Sequence, residues 1–284
     1  MGAEASGLAD PLTAADFHAR KGGEPLVCIT AYDAPQARLA ERAGVDAILV
    51  GDSLGDTTLG YARRVEVSVD DIVHHTAAVV RATTRPLIIA DLPFMSYVTV
   101  EDALRHSARC IQAGGAGAMK LEGGTEVAEI TAGLVERGIP VMAHVGLTPQ
   151  SLDTLSGSKV RGADLSSAQR IVDGARAQAD AGAFAIVLEY VPVRLAAAIT
   201  ERVPIPTIGI GAGPSCDGQI QVIYDLLGFH HGTPHRHTHV YAEIADQTEA
   251  ALRAYTRDVR TNAFPAESHG FKMRRGVLDR LTFG

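Results

Sequence analysis

Tryptophan is absent from this sequence of 284 residues, and aromatic residues make up only 5% of it. The apolar fraction is nevertheless 46%, so the core must consist mainly of Ala, Val, Ile and Leu. Such a core suits the layered aliphatic packing inside a parallel barrel. Long runs of one charge are missing too. The net charge of −7 without a basic segment disfavours a nucleic-acid partner.

Long apolar runs are also missing. No stretch approaches the roughly 18 residues that span a bilayer, so we expect no membrane partner. Residues 1–23 carry three acidic side chains and no continuous apolar stretch, which is unlike a secretory signal. The cysteines are odd in number and widely spaced, at Cys28, Cys110 and Cys216. That spacing is typical of reduced thiols, so we predict a cytoplasmic protein.

Short aliphatic runs alternate with helix-like stretches along the chain. Eight runs read as buried parallel strands, at residues 26–30, 47–50, 87–90, 118–121, 141–145, 185–188, 207–210 and 220–224. The last run could equally begin a helix. Eight alternations predict an α/β fold of the (β/α)8 TIM-barrel type, with a doubly wound open sheet as the alternative. We predict one domain over residues 1–284, with helical segments at about 1–24 and about 240–284.

Local signals mark where the helices begin and end. Capping-box spacing predicts helix starts at Ser68 with Asp71, Thr99 with Asp102, and Ser166 with Gln169. Glycines that precede the next strand predict left-handed helix ends at Gly44, Gly138 and Gly182.

Acidic residues follow or end five of the predicted strands, at Asp33, Asp52, Asp91, Glu122 and Glu189. One such residue is commonly a helix cap, but the carboxyl ends of barrel strands meet at one mouth. Five carboxylates there would repel one another unless a cation compensated. Oxygen ligands favour Mg2+, whereas zinc would require more His and Cys than the one His at these strand ends. A cation held in this way can chelate a 2-oxo acid and acidify the neighbouring C–H bond.

Three polar residues on or directly after the predicted strands, Glu189 again among them, each have more than one interpretation. Lys120 could neutralise a substrate carboxylate, or it could pair with Asp91 or Glu122, since a buried lysine needs a partner. Glu189 closes an apolar run, where it could act as a general base or cap the following helix. His144 lies on the fifth strand and could line the same pocket.

Eight segments together resemble the ketopantoate hydroxymethyltransferase family. They are Thr-Ala-Tyr-Asp at 30–33, Val-Gly-Asp-Ser-Leu-Gly at 50–55, His-Thr-Ala-Ala at 75–78, Ala-Asp-Leu-Pro-Phe-Met at 90–95, Lys-Leu-Glu-Gly-Gly at 120–124, His-Val-Gly-Leu-Thr-Pro-Gln at 144–150, Leu-Glu at 188–189 and Ile-Gly-Ile-Gly-Ala-Gly at 208–213. The resemblance runs from about residue 30 to 225 and more weakly to about 269.

The resemblance implies a barrel of the phosphoenolpyruvate/pyruvate superfamily. It implies transfer of a hydroxymethyl group from 5,10-methylenetetrahydrofolate to 2-oxoisovalerate (3-methyl-2-oxobutanoate) through a magnesium-stabilised enolate, giving ketopantoate for pantothenate synthesis. By motif position, it implies metal ligands at Asp52, Asp91 and Glu122, substrate contacts at Asp52, Ser53, Asp91, Lys120 and His144, and a proton acceptor at Glu189. It also implies a homo-oligomer, since the family often forms decamers.

Two departures from the family pattern leave alternatives open. Residues 229–239 contain five of the eleven His residues, where the family usually has an apolar segment; a solvated loop and a transition-metal site are both readings of it. Asp56 stands where the family commonly has an apolar residue.

The alternative functions are another magnesium-dependent lyase or mutase of the superfamily, or an impaired barrel that acts as an assembly subunit. A lyase of the isocitrate-lyase type would usually carry a Lys-Lys-Cys-Gly-His-like loop, which this sequence lacks.

Overall fold

Eight parallel strands form a closed barrel in a computed structural model that describes residues 10–154, 160–229 and 236–283. They are β1 (Leu26–Thr30), β2 (Ala47–Val50), β3 (Leu87–Asp91), β4 (Ala118–Glu122), β5 (Val141–Gly146), β6 (Ala185–Glu189), β7 (Thr207–Ile210) and β8 (Gly218–Gln221). Each strand pairs with the next along the chain, and β8 pairs with β1. The prediction of a barrel is confirmed, and the alternative prediction of a doubly wound open sheet is wrong.

Helices lie between most of the strands and beyond both ends of the barrel. They are α1 (Ala14–Ala19), α2 (Ala34–Arg42), α3 (Val69–Val80), α4 (Val100–Gln112), α5 (Ala128–Val135), α6 (Leu165–Asp180), α7 (Val193–Arg202), α8 (Ile223–Leu226) and α9 (Ile244–Arg260). A π-helical turn (Gly55–Leu59) and a 3-10 turn (Arg64–Glu66) follow β2. Within the described residues, none of these helices has the length and hydrophobicity of a membrane span.

The helix starts follow the predicted caps at two of three places. Ser68 and Asp71 form a full capping box at α3, and the Thr99 hydroxyl accepts from the Asp102 amide at α4. The start predicted at Ser166 is wrong, because Asp164 accepts from the Ser167 amide and begins α6 two residues earlier. Aspartate is at least as good a cap as serine. The predicted glycine helix ends at Gly44, Gly138 and Gly182 have positive φ angles of 84°, 81° and 92°.

The eighth strand differs from the prediction of residues 220–224. The strand covers Gly218–Gln221, and a short helix begins at Ile223, so both readings of this run were partly right. A Cβ at Gly218 would lie 2.4 Å from the Leu26 carbonyl oxygen, so this strand needs a glycine beside β1. Apolar periodicity cannot detect such a strand, since close backbone approach rather than side-chain burial defines it.

Aliphatic side chains at alternate strand positions fill the barrel interior. Leu87 and Ile89 of β3, Met142 of β5 and Val187 of β6 belong to this cluster. Side chains two apart on a strand share one face, so the next inward positions toward the carboxyl ends lie at the mouth. The amino end is closed by α1, whose Phe17 is 1% exposed and packs edge-on against Phe184 at 5.7 Å between ring centroids.

The last part of the described chain lies outside this core. Helix α9 has no buried residue, and the side chains of Leu252, Tyr255 and Val259 are 59%, 57% and 41% exposed. These three positions are three to four residues apart, so they form one apolar stripe on the helix.

Candidate active site

The predicted site residues on the strands occupy inward-facing positions nearest the mouth of the barrel. Asp91 follows Leu87 and Ile89 at the same parity on β3, and Glu189 follows Val187 on β6. The strand register sets neighbours side by side, with Asp91 opposite Lys120 and Glu122 opposite His144. The alternation of side chains and the pairing register therefore bring the predicted residues together.

Three carboxylates form a buried cluster at this mouth. Asp52, Asp91 and Glu122 each offer one oxygen within 4.8 Å of the others, and their residues are at most 5% exposed. Burial, together with the charges of Asp91 and Glu122, raises the pKa of Asp52 to about 7. The Oδ2 atom of Asp52 is buried and has no hydrogen-bond partner among the described residues. A bound cation would compensate the repulsion between the carboxylates and would give the Oδ2 atom of Asp52 a partner.

Lys120 provides the positive charge within this cluster. Its Nζ atom donates to both oxygens of Asp91 at 2.9 Å and to Oε1 of Glu122 at 3.4 Å. Burial opposes the ammonium form, but the neighbouring carboxylates outweigh it and raise the pKa of Lys120. Burial would also raise the pKa of Glu122, but Lys120 and His144 lower it to about 2. The ion-pair reading of Lys120 is therefore the one that the structure adopts.

His144 lies between two carboxylates. Its Nδ1 atom is 3.5 Å from Oε1 of Glu122, and its Nε2 atom is 3.2 Å from Oε2 of Glu189. Burial disfavours the imidazolium, but the two carboxylates outweigh it and raise the pKa of His144 to about 9. His144 thus links the acidic cluster to Glu189, whose side chain is 14% exposed.

Glu189 is directed by its backbone rather than used as a helix cap. Helix α7 has Pro192 at its N-cap position and no side-chain cap, so the capping alternative is wrong. Tyr190 has φ of 52°, which turns the chain sharply after Glu189. Its amide donates to the Ile210 carbonyl at 2.9 Å, and the Leu147 amide donates to the Glu189 carbonyl at 2.8 Å. These bonds support a backbone conformation that is costly for a non-glycine residue.

Ser53 lies beside the cluster with its hydroxyl held in place. The hydroxyls of Ser53 and Tyr32 are 2.8 Å apart, and both residues are buried. Gln150 supports Glu122 in a similar way, because its amide donates to Oε2 of Glu122 at 3.0 Å. Its side-chain amide donates to the Leu92 carbonyl at 2.9 Å.

The family is decided by comparison with known sequences. The family model described as ketopantoate hydroxymethyltransferase matches residues 11–267. The chain belongs to the ketopantoate hydroxymethyltransferase family. A relative from Carboxydothermus hydrogenoformans, a 3-methyl-2-oxobutanoate hydroxymethyltransferase, is 50% identical and covers 92% of this chain and 95% of its own. One of the same name from Gluconacetobacter diazotrophicus is 48% identical over 95% of this chain and 98% of its own.

Solved structures share the fold at low identity. Phosphonopyruvate hydrolase has a TM-score of 0.60 at 16% identity and covers 94% of each chain. A 2,3-dimethylmalate lyase of the PEP mutase/isocitrate lyase superfamily has a TM-score of 0.57 at 17% identity, covering 94% of this chain and 92% of its own. At these identities the likeness shows the fold alone, whereas the two hydroxymethyltransferases are about three times as similar in sequence.

Two expectations from the sequence, about Asp33 and about the His-rich segment, are respectively wrong and only partly covered by the described residues. Asp33 does not join the acidic cluster, since its carboxylate caps α2 by accepting from the Gln36 amide at 2.8 Å. Four of the five strand-end carboxylates therefore meet at the mouth. In the His-rich segment, residues 230–235 lie outside the described residues. His237 lines the cavity and packs edge-on against Tyr190 at 4.9 Å between ring centroids.

The cavity at the mouth has a volume of about 430 Å³ and includes residues that the sequence analysis missed. Besides the predicted residues, Arg64 and Asp225 line it. The sequence analysis also missed Gln150, which supports Glu122 from outside the cavity lining. Gln150 lies in the segment 144–150 that carries the family resemblance, so that segment could have indicated it. Arg64 lies in an irregular turn, and its neighbours in the sequence gave no indication that it reaches the mouth.

Proposed function

We propose that this chain transfers a hydroxymethyl group from 5,10-methylenetetrahydrofolate to 3-methyl-2-oxobutanoate at the acidic mouth of the barrel, giving ketopantoate for pantothenate synthesis. The family supplies the reaction, and the folate co-substrate belongs to the proposal. One observation carries the assignment to this site. Three buried carboxylates, a buried lysine and the His144–Glu189 pair all face one cavity.

We assign a Mg2+ site to Asp52, Asp91 and Glu122. The donors fit this ion because all three offer carboxylate oxygen, and the buried Oδ2 atom of Asp52 lacks a hydrogen bond among the described residues. When bound, Mg2+ withdraws electrons from the ketone of the oxo acid and so acidifies the neighbouring C–H bond.

The other polar groups of the cluster suit binding of the oxo acid. Lys120 already holds Asp91 and Glu122, and its charge also lies close enough to receive a substrate carboxylate. The Ser53 hydroxyl can donate to the same carboxylate while it accepts from Tyr32. His144, Asp52 and Asp91 complete the wall around the substrate.

Glu189 is the proposed base. It accepts the proton from C3 of 3-methyl-2-oxobutanoate, and His144 at 3.2 Å orients its carboxylate. The electron pair left on C3 then attacks the methylene carbon of the folate, which forms the new C–C bond. One C–N bond of that methylene breaks as the C–C bond forms, and the other breaks when water supplies the hydroxyl oxygen. The two folate nitrogens take up the C3 proton and one proton of that water, and tetrahydrofolate leaves.

Two measurements with purified protein test the proposal. Ketopantoate should form from 3-methyl-2-oxobutanoate, 5,10-methylenetetrahydrofolate and Mg2+, as followed by mass spectrometry. In deuterium oxide without folate, the C3 proton should exchange. Glu189→Gln should abolish this exchange while Mg2+ binding, measured by calorimetry, stays largely intact. Undiminished exchange in this variant would exclude Glu189 as the base.

The proposal includes a homo-oligomer and a cytoplasmic location. The exposed apolar stripe of α9 supports the first, because such a surface is typical of a subunit contact. All three cysteines are free, which fits a reducing compartment. Light scattering of the purified protein and fractionation of the native cells test these two points, and a monomer or a secreted protein would refute them.

A further inference from the structure

A guanidinium lies over the acidic mouth. Arg64 lines the same cavity as Asp52 and Glu189, and its side chain is 28% exposed. Burial opposes the charge of this group, but nearby Asp56, Asp52 and Glu189 raise the pKa of Arg64. Asp52 follows β2 and Glu189 ends β6, on opposite sides of the barrel. A side chain that lines the cavity together with both residues therefore reaches toward the centre of the opening.

Asp56 holds this guanidinium by one edge. The Nε atom of Arg64 donates to Oδ2 of Asp56 at 3.1 Å, and Asp56 lies in the π-helical turn that follows Ser53. Among the described residues this is the one hydrogen bond that the structure gives the guanidinium. Its two terminal amino groups therefore remain for a ligand. A guanidinium edge matches a carboxylate in size and geometry and can bind it through two parallel hydrogen bonds.

The proposed substrate does not use this charge. With its ketone and carboxylate at the acidic cluster and C3 beside Glu189, 3-methyl-2-oxobutanoate presents only methyl groups beyond C3. Methyl groups give a guanidinium no hydrogen bond. Six carboxylates line the cavity against the cations Arg63, Arg64 and Lys120, so a second ligand carboxylate would be repelled unless a cation such as Arg64 received it. Asp56, which fixes that cation, is also the residue that departs from the apolar residue common in the family.

We infer that Arg64, oriented by Asp56, forms a carboxylate-binding subsite at the mouth, separate from the subsite that holds the carboxylate next to the ketone. The inference rests on the proposed function. Two sources can supply this carboxylate: the glutamate portion of the folate, or the far end of a dicarboxylic 2-oxo acid. The first makes Arg64 a determinant of co-substrate binding, and the second makes it a determinant of the oxo acid accepted.

Equilibrium binding to two matched ligand pairs tests the inference, with Mg2+ present. Tetrahydrofolate is compared with tetrahydropteroate, which lacks the glutamate, and 2-oxoglutarate with 2-oxopentanoate, which lacks the far carboxylate. The wild-type protein should bind the carboxylate-bearing member of one pair roughly 10-fold to 100-fold more tightly, as expected for hydrogen bonds to a charged group. The pair that shows this preference identifies the source.

Variants assign the preference to Arg64. Arg64→Met should abolish it, and Arg64→Lys should keep only part, because lysine retains the charge without the planar fork. Arg81→Met makes the same change at an exposed position at the end of α3 and should leave the preference intact. A preference that persists in Arg64→Met, or its absence from both pairs in the wild type, would overturn the inference. Failure of the proposed function would show separately, as no ketopantoate from the wild-type protein.

Discussion

Replacing Lys120 with methionine isolates the electrostatic role of the buried lysine. Methionine keeps most of the side-chain volume but leaves Asp91 and Glu122 without the cation that contacts them at 2.9 and 3.4 Å. The lysine and both carboxylates have side chains at most 5% exposed, so water cannot replace the lost charge. Removing one partner of such a buried pair costs about 3–5 kcal/mol of stability. For a protein of ordinary stability, about 5–15 kcal/mol, this is a large fraction.

Urea unfolding followed by circular dichroism in EDTA measures this loss. Lys21→Met is the matched control, because Lys21 Nζ lies 2.8 Å from Asp217 but its side chain is 25% exposed. The control should therefore lose less stability than Lys120→Met. In the double variant Lys120→Met/Asp91→Asn, removal of one negative charge should recover part of the loss.

Two results would refute this reasoning about Lys120. A loss below about 1 kcal/mol for Lys120→Met would match an exposed ion pair rather than a buried one. A double variant whose loss equals the sum of the two single losses would show that Lys120 and Asp91 do not interact energetically.

Three further predictions concern the ends of the barrel and the surface. Asp217 accepts hydrogen bonds from Lys21, Gly22 and Thr207, which outweigh its burial and lower its pKa. The stability it provides should therefore be present above about pH 4 and be lost as the pH falls further, and Asp217→Asn should remove this dependence in urea titrations at several pH values. Phe17→Ala should cost about 3–5 kcal/mol in the same assay, because the ring is buried against the barrel; a loss below 1 kcal/mol would show that α1 does not close it. Leu252→Glu on α9 should yield smaller species in light scattering, whereas an unchanged mass would place the subunit contact elsewhere.

The mouth shows why some site residues could be predicted and others could not. Asp91, Lys120, Glu122 and Glu189 lie on regular strands, so alternation of side chains is enough to place them on the inward face. Asp33 follows a strand in the same way but caps a helix. A sequence pattern cannot separate these two outcomes, because both place a carboxylate directly after a strand.

The sequence by itself determined the alternation of eight strands with helices, the identity of the family and the strand-end carboxylates. These follow from patterns that are local in the chain, namely apolar periodicity, capping spacing and ordered motifs. The tertiary structure alone decided that Lys120 pairs with Asp91, that His144 links Glu122 to Glu189, and that Arg64 reaches the mouth. These contacts join residues far apart in the chain or lie on an irregular turn, so they depend on barrel closure and strand register, which no local pattern encodes.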